Sequence, residues 1–114
     1  MNFNASAILD TWVNHSWSEG VQLSSLQDFT KIIVETKNST YEITVIDGRE
    51  REIVIRGGKF FPEGTAVRLC GSSMRSSFLK LGGIYAGFNM ELLWDGQTVV
   101  TSPVRSIRIY TPTA

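Results

Sequence analysis

Residues 41–56 read YEITVIDGREREIVIR, and this stretch decides the fold. In its first part, the apolar residues Tyr41, Ile43 and Val45 alternate with polar ones, which is the period of a β-strand with one buried face. The Asp-Gly pair at its centre is typical of a two-residue type I′ turn, because that turn needs positive φ at both central positions. The stretch therefore predicts a β-hairpin whose second strand ends near Arg56.

The same β pattern continues on both sides of this hairpin. Further strands are predicted over residues 31–37, 65–70, 78–94, 98–100 and 104–110. A second Asp-Gly pair, at 95–96, predicts another tight hairpin, and Pro103 is expected to interrupt pairing before the last strand. The large apolar residues Phe60 and Phe61 are expected to plug one end of the strand assembly. Gly71–Ser77 is rich in serine and is predicted to be an irregular loop.

Only the N-terminal part has a helical pattern. Its apolar residues recur every three or four positions from Ala5 to Trp17, which predicts one amphipathic helix. Residues 1–29 are thus expected to form a helix and connector that pack on an antiparallel β-barrel over residues 30–111, within a single domain. A small meander barrel of six to seven strands removes unpaired edges, and a two-sheet sandwich is the alternative.

Composition narrows the class of protein. The chain has 114 residues, of which 42% are hydrophobic and 19% charged, with 11 basic and 11 acidic residues. These values are typical of a folded domain, and the chain has no apolar run long enough to span a bilayer. The first ten residues lack the pattern of a signal peptide, so a cytoplasmic location is expected. Cys70 is the only cysteine, which excludes an intramolecular disulfide.

No residue set supports catalysis. His15 is the only histidine, and Cys70 is interpreted as a core residue. The carboxylates lie in polar contexts that do not raise a pKa, and the familiar nucleotide-binding, zinc-protease and hydrolase motifs are missing. We therefore predict no catalytic residues, no metal site and no cofactor, and an enzyme of unknown type ranks third among the function hypotheses.

Charge is unevenly distributed along the chain. Residues 1–50 hold 7 acidic and 3 basic residues, whereas residues 51–114 hold 4 acidic and 8 basic ones. Serine hydroxyls beside Arg75 and Lys80 can hold an anion, and outward-facing aromatic rings can stack on bases. The candidate anion- or ligand-binding residues are Arg68, Ser72, Ser73, Arg75, Lys80, Arg105 and Arg108, and the candidate aromatic contacts are Tyr85 and Tyr110. An anion- or nucleic-acid-binding barrel is accordingly the second function hypothesis.

The leading hypothesis is a binding or assembly module that engages a protein partner or a second copy of itself, with no membrane partner. Trp12 and Trp17 on the predicted helix can dock on a neighbour, and opposite charges on the two halves favour association.

Two segments carry a resemblance to other proteins. TKNSTYEI at residues 36–43 and TSPVRSI at residues 101–107 resemble sequences in short bacterial all-β proteins of unassigned function. The resemblance spans roughly residues 21–109 and implies no activity.

Overall fold

The computed structural model describes residues 19–75 and 77–112, and these form antiparallel β-structure. The strands are β1 (Gly20–Gln22), β2 (Lys31–Thr36), β3 (Thr40–Asp47), β4 (Glu52–Gly57), β5 (Phe61–Met74), β6 (Ser77–Leu81), β7 (Gly83–Tyr85), β8 (Asn89–Trp94) and β9 (Gln97–Tyr110). A short 3-10 helix, Leu23–Ser25, follows β1. The prediction of a mainly β antiparallel fold is confirmed.

Most strands belong to one seven-stranded sheet with the order β4-β3-β2-β9-β8-β5-β6. β4 also pairs with β5, so the six strands β4-β3-β2-β9-β8-β5 form a closed cycle of pairings. β1 and β7 form a separate two-stranded sheet. This cyclic pairing leaves β6 at the end of the sheet order, beside β5.

The alternating pattern places one row of side chains from each strand in a common core. In β2 and β3 the alternation is regular, since Ile32, Val34, Ile43 and Val45 are fully buried while the residues between them are not. Other fully buried members are Leu23, Ile55, Phe61, Leu69, Ile84, Met90 and Leu92. Burial of these side chains, at about 1.5–3 kcal/mol each, is the main stabilising contribution.

The two Asp-Gly pairs form different turns. At the β8–β9 hairpin, Asp95 and Gly96 have φ of 50° and 75°, and Trp94 pairs with Gln97, which confirms the two-residue turn. The β3–β4 hairpin is confirmed, but its turn is longer and Arg51, with φ of 59°, takes the left-handed position. There the Asp47 carboxylate accepts hydrogen bonds from the backbone N–H groups of Arg49 and Glu50, at 3.1 and 3.2 Å.

The prediction of one long strand over residues 78–94 is wrong. That region is divided into β6, β7 and β8, and the longest strands are β5 and β9. Gly82 and Gly87 lie between the three strands with φ of 69° and 93°, so the backbone turns there. The expected inward set is nevertheless buried or half-buried, including Ile84 and Met90.

The pairing between β8 and β9 ends at Pro103, in line with the predicted interruption, but no separate last strand begins after it, because β9 continues through Pro103 to Tyr110. β9 pairs with β8 up to Pro103 and with β2 from Val104 onward. A residue without an N–H group is tolerated at this change of neighbour, where the ladder on both sides is irregular. The Pro103 carbonyl accepts a hydrogen bond from Lys37 N–H at 2.9 Å.

The segments 36–43 and 101–107 meet at this junction. Thr36 Oγ1 accepts a hydrogen bond from Ser102 Oγ at 2.8 Å, and Ser102 Oγ accepts one from Asn38 N–H at 3.1 Å. Thr36 Oγ1 also donates to the Ser39 carbonyl at 3.0 Å. These contacts give the polar residues of both segments a structural role, which is to fix the β2–β3 turn against β9.

The predicted helix over residues 5–17, with Trp12 and Trp17, lies outside the described residues. Of the predicted connector, residues 20–25 form β1 and the 3-10 helix. Among the residues that the structure describes, no helix has the length and apolar character needed to cross a membrane.

Candidate functional site

An open groove of about 370 Å³ on the described surface resembles a ligand site. The register of three neighbouring antiparallel strands brings its lining residues together, because Arg68 in β5 pairs with Glu52 in β4 and with Leu93 in β8. Ile46 and the β8–β9 turn at Asp95 complete its rim. The volume is within the range of ligand pockets, about 300–1,000 Å³.

The groove combines apolar and charged groups. Ile46 and Leu93 are each 38% exposed, so each offers apolar surface at the rim. Glu52 and Asp95 are acidic lining residues beside Arg68, and within the described ranges Arg68 forms no salt bridge. A guanidinium without an internal partner can pair with a carboxylate of a ligand, while the two acidic groups disfavour a polyanion.

The other predicted cations do not gather around Arg68. Arg75 lies at the β5–β6 turn, where its N–H group donates to Asn89 Oδ1 at 3.2 Å. Lys80 Nζ in β6 lies 5.6 Å from the centre of the Tyr85 ring. Arg105 and Arg108 are exposed on β9, and Arg108 is 3.6 Å from Glu35. The predicted anion-binding set is therefore distributed over β5, β6 and β9.

The prediction of an irregular serine loop is wrong for residues 71–74, which belong to β5. Ser72 and Ser73 are buried. Ser72 Oγ donates to the Gly83 carbonyl at 2.9 Å and accepts from Tyr85 N–H at 3.0 Å, so this hydroxyl fixes β7 against β5. Its structural role leaves it unavailable to an anion at the surface.

Tyr85 does not face outward as predicted. It is 6% exposed, and its hydroxyl accepts a hydrogen bond from Gln22 Nε2 at 3.1 Å. Tyr110 is 52% exposed near the end of β9, so only this one of the two predicted aromatic contacts is accessible.

Two ion pairs join the acidic half of the chain to the basic half. Glu42 contacts Arg56 at 2.6 Å, and Arg108 lies 3.6 Å from Glu35. Glu42 also contacts Lys31 of its own half at 2.9 Å. Hydrogen bonds from Lys31 and Arg56 hold the pKa of the Glu42 carboxyl below its ordinary value of 4.5. Part of the charge separation seen along the sequence is thus neutralised on the surface of β2, β3, β4 and β9.

Cys70 lies in β5, two positions after Arg68, and is half-buried. Burial raises the pKa of its thiol, and the Glu91 carboxylate acts in the same direction. The thiol is therefore the form present at neutral pH, and the thiolate needed for nucleophilic chemistry is disfavoured.

Sequence reasoning identified Arg68 but missed its surroundings. Ile46, Glu52, Leu93 and Asp95 join it only because of the register between β4, β5 and β8. The two Asp-Gly turns were the sequence signal that could have predicted this group of residues. Turns at the same end of neighbouring hairpins bring the residues beside them together. Comparison of the chain with protein-family models, curated proteins and solved structures gives no significant match.

Proposed function

We propose that the chain is a small protein-binding module that holds a segment of a partner protein in the groove around Arg68. The observation that carries this proposal is the Arg68 guanidinium, which forms no salt bridge with any described residue and lies in an open, partly apolar groove. A partner segment with one carboxylate and an adjacent aliphatic side chain complements Arg68 together with Ile46 and Leu93. Glu52 and Asp95 favour a basic residue elsewhere in that segment.

The scaffold of this module is a closed barrel. The cyclic order of pairing through β4 and β5 supports a barrel over the two-sheet alternative. In such a scaffold, the strands give the groove a rigid floor. On binding, the partner segment therefore loses conformational entropy, whereas the module is already ordered.

Nucleic-acid binding has less support. Of the predicted residues, Ser72, Ser73 and Tyr85 are buried, and the remaining cations are spread over several strands. Arg68 itself shares its groove with two carboxylates, which repel a phosphate backbone. An enzyme also has little support, because burial raises the pKa of the Cys70 thiol rather than activating it.

Self-association is the second candidate, and one observation favours it. β6 is at the end of the sheet order, and Leu79 and Leu81 on it are 45% and 57% exposed. An apolar edge strand is a template for antiparallel pairing with a second copy across a two-fold axis. Light scattering over a range of concentrations tests this: a dimer that Leu79→Lys converts to monomer supports it, and a monomer at all concentrations contradicts it.

Peptide selection tests whether the groove binds a partner segment. The full chain is the target, and a displayed library of ten-residue peptides is screened for binding to it. We expect enrichment of sequences with an acidic residue next to an aliphatic one. Their affinity is expected to be at least about tenfold weaker for Arg68→Gln, which corresponds to about 1.4 kcal/mol. Arg105→Gln is the matched control, because it removes the same charge from an exposed position outside the groove.

Amide chemical-shift changes locate the bound peptide. Changes concentrated at Glu52, Arg68 and Asp95 support the proposal. Peptides that bind Arg68→Gln as tightly as the wild type, or that shift only residues outside the groove, contradict it.

A further inference from the structure

A second, smaller pocket of about 150 Å³ lies where three segments meet, and it shares no lining residue with the Arg68 groove. One segment is β1 with its 3-10 helix, another is the β3–β4 turn, and the third is the corner between β6 and β7. The lining comprises Gln22, Ser24, Arg49, Arg51, Leu81 and two glycines. Its volume is well above the ~10–15 Å³ that one water molecule needs.

Backbone contacts hold these three segments together. Leu23 N–H donates to the Gly82 carbonyl at 2.9 Å, which joins the first segment to the third. The turn approaches the first segment closely at Gly48, where a Cβ atom would overlap the Leu23 carbonyl oxygen. The Gln22 amide is held from one side by its hydrogen bond to Tyr85. These contacts fix the three segments relative to one another, so the pocket between them is part of the fold.

Arg51 is the unusual residue of this pocket. It occupies the left-handed position of its turn, with φ of 59°, where Gly or Asn is the ordinary choice. Its Nε atom is buried, and no hydrogen-bond partner for it is found in the described part of the chain. Its aliphatic stem packs near Gly82, since the Cδ atom is 3.4 Å from the position of a Cβ there. A strained backbone and an unused charged donor therefore coincide in one side chain.

The electrostatic character of the pocket is positive. Two guanidinium side chains line it, and none of its lining residues is acidic. The Asp47 carboxylate of the same turn accepts hydrogen bonds from turn N–H groups, and Glu50 is exposed. The Ser24 hydroxyl adds a neutral donor to the lining.

We propose that this pocket binds a phosphate-type oxyanion, with Arg51 and Arg49 as its charged donors and Ser24 as a neutral one. A guanidinium presents its N–H groups in a planar fork that matches two oxygens of a phosphoryl group. Both arginines line the pocket, so their guanidinium groups supply the positive charge that the oxyanion needs. This site does not depend on the Arg68 groove, and neither Ser72 nor Arg75 takes part in it.

The test uses the full chain with inorganic phosphate and glycerol phosphate as probes, at constant ionic strength adjusted with chloride. The thermal midpoint and the Nε–Hε resonance of Arg51 are followed as the probe is added. We expect a saturable rise of the midpoint and a saturable shift of that resonance with both probes. Arg51→Gly is expected to bind phosphate at least about tenfold more weakly, while folding normally, because glycine relieves the left-handed backbone.

Lys59→Gln is the matched control, because it removes one positive charge from the exposed turn at the opposite end of β4. Its phosphate affinity is expected to equal that of the wild type. Equal binding by Arg51→Gly and the wild type would overturn the proposal, as would a response to chloride as large as that to phosphate. A shift of the Arg51 resonance that never saturates would overturn it as well. Since peptide binding in the groove uses Arg68, failure of either site leaves the other testable.

Discussion

Replacing Phe61 by alanine is expected to destabilise the protein much more than the same change at its neighbour Phe60. Phe61 is fully buried, and its ring meets that of Trp94 edge to face with 5.4 Å between centroids. A buried Phe→Ala change costs about 3–5 kcal/mol, of which the aromatic pair supplies about 0.5–1.5 kcal/mol. Phe60 is 51% exposed, so Phe60→Ala is expected to change the free energy of unfolding by about 1 kcal/mol or less.

The assay is urea denaturation followed by far-ultraviolet circular dichroism, which reports backbone structure rather than the fluorescence of Trp94 beside the mutated ring. The free energy of unfolding follows from the midpoint and the slope, and an unchanged slope indicates that both states remain comparable. Since about 3–5 kcal/mol is a large part of the stability of a domain, Phe61→Leu provides a variant that stays folded, with an expected cost of about 1–2 kcal/mol.

A ranking in which Phe60→Ala costs as much as Phe61→Ala would refute the reasoning. It would mean that the two rings act together as a cover, as the sequence suggested, and that the burial of Phe61 in β5 does not decide its contribution. Measurements on Phe61→Leu guard against a misleading result from a variant that is already unfolded in the absence of urea.

Three further predictions concern polar and backbone contacts. Because the pKa of the Glu42 carboxyl is lowered in the folded state, its contribution to stability is present above its ordinary pKa of 4.5 and is lost as pH falls through the folded value. Denaturation between pH 7 and 3 should therefore show a flatter acid limb for Glu42→Gln, and parallel limbs would contradict this. Thr36→Val is expected to cost about 1–3 kcal/mol, since it leaves the Ser102 hydroxyl and the Ser39 N–H group without their acceptor; an unchanged urea midpoint would contradict it. Gly71→Ala is expected to lower the thermal midpoint strongly, because its Cβ would overlap the Lys80 carbonyl oxygen at a φ of 152°, whereas Gly96→Ala, with open space around it, should cost only about 1 kcal/mol. Similar midpoints for the two alanine variants would show that the close approach of β5 and β6 is not maintained.

The hairpins were the most predictable part of the fold. Alternation over residues 41–56 and the two Asp-Gly pairs depend on contacts between sequence neighbours, and the structure confirms both hairpins. The turn at Asp47 was predicted too short, because the side chain of that residue bonds to two N–H groups beyond it and extends the loop to Arg51.

The division of residues 78–94 was less predictable. The expected inward residues are buried or half-buried, but Tyr85, which was expected to face outward, is buried as well, so the side-chain pattern was correct for one face only. Glycines at positive φ can bend one strand or separate two, and composition does not distinguish these outcomes. Which outcome occurs depends on β1, whose pairing with β7 removes residues 83–85 from the main sheet.

Register explains why the candidate sites were seen only in part. In β5 a bulge at Cys70 places Leu69 opposite Leu92 and Gly71 opposite Glu91, so one residue on the β5 side has no counterpart. Since side chains alternate with a period of two, one extra residue reverses which of them face the core. Ser72 is consequently opposite Met90 and buried, whereas a regular strand from Leu69 would have turned it outward.

Arg68 precedes the bulge and keeps the outward position that its pattern predicts. The residues that line the groove with Arg68, however, come from β4 and β8 and from turns at their ends. No spacing along the chain relates Glu52 to Leu93. Arg51 shows the converse case, because a residue assigned to a regular strand lies in a turn and its side chain enters a pocket. In this fold the irregular positions, bulges and left-handed turn residues, decide which charged groups meet, and they are the positions that hydrophobic periodicity alone does not specify.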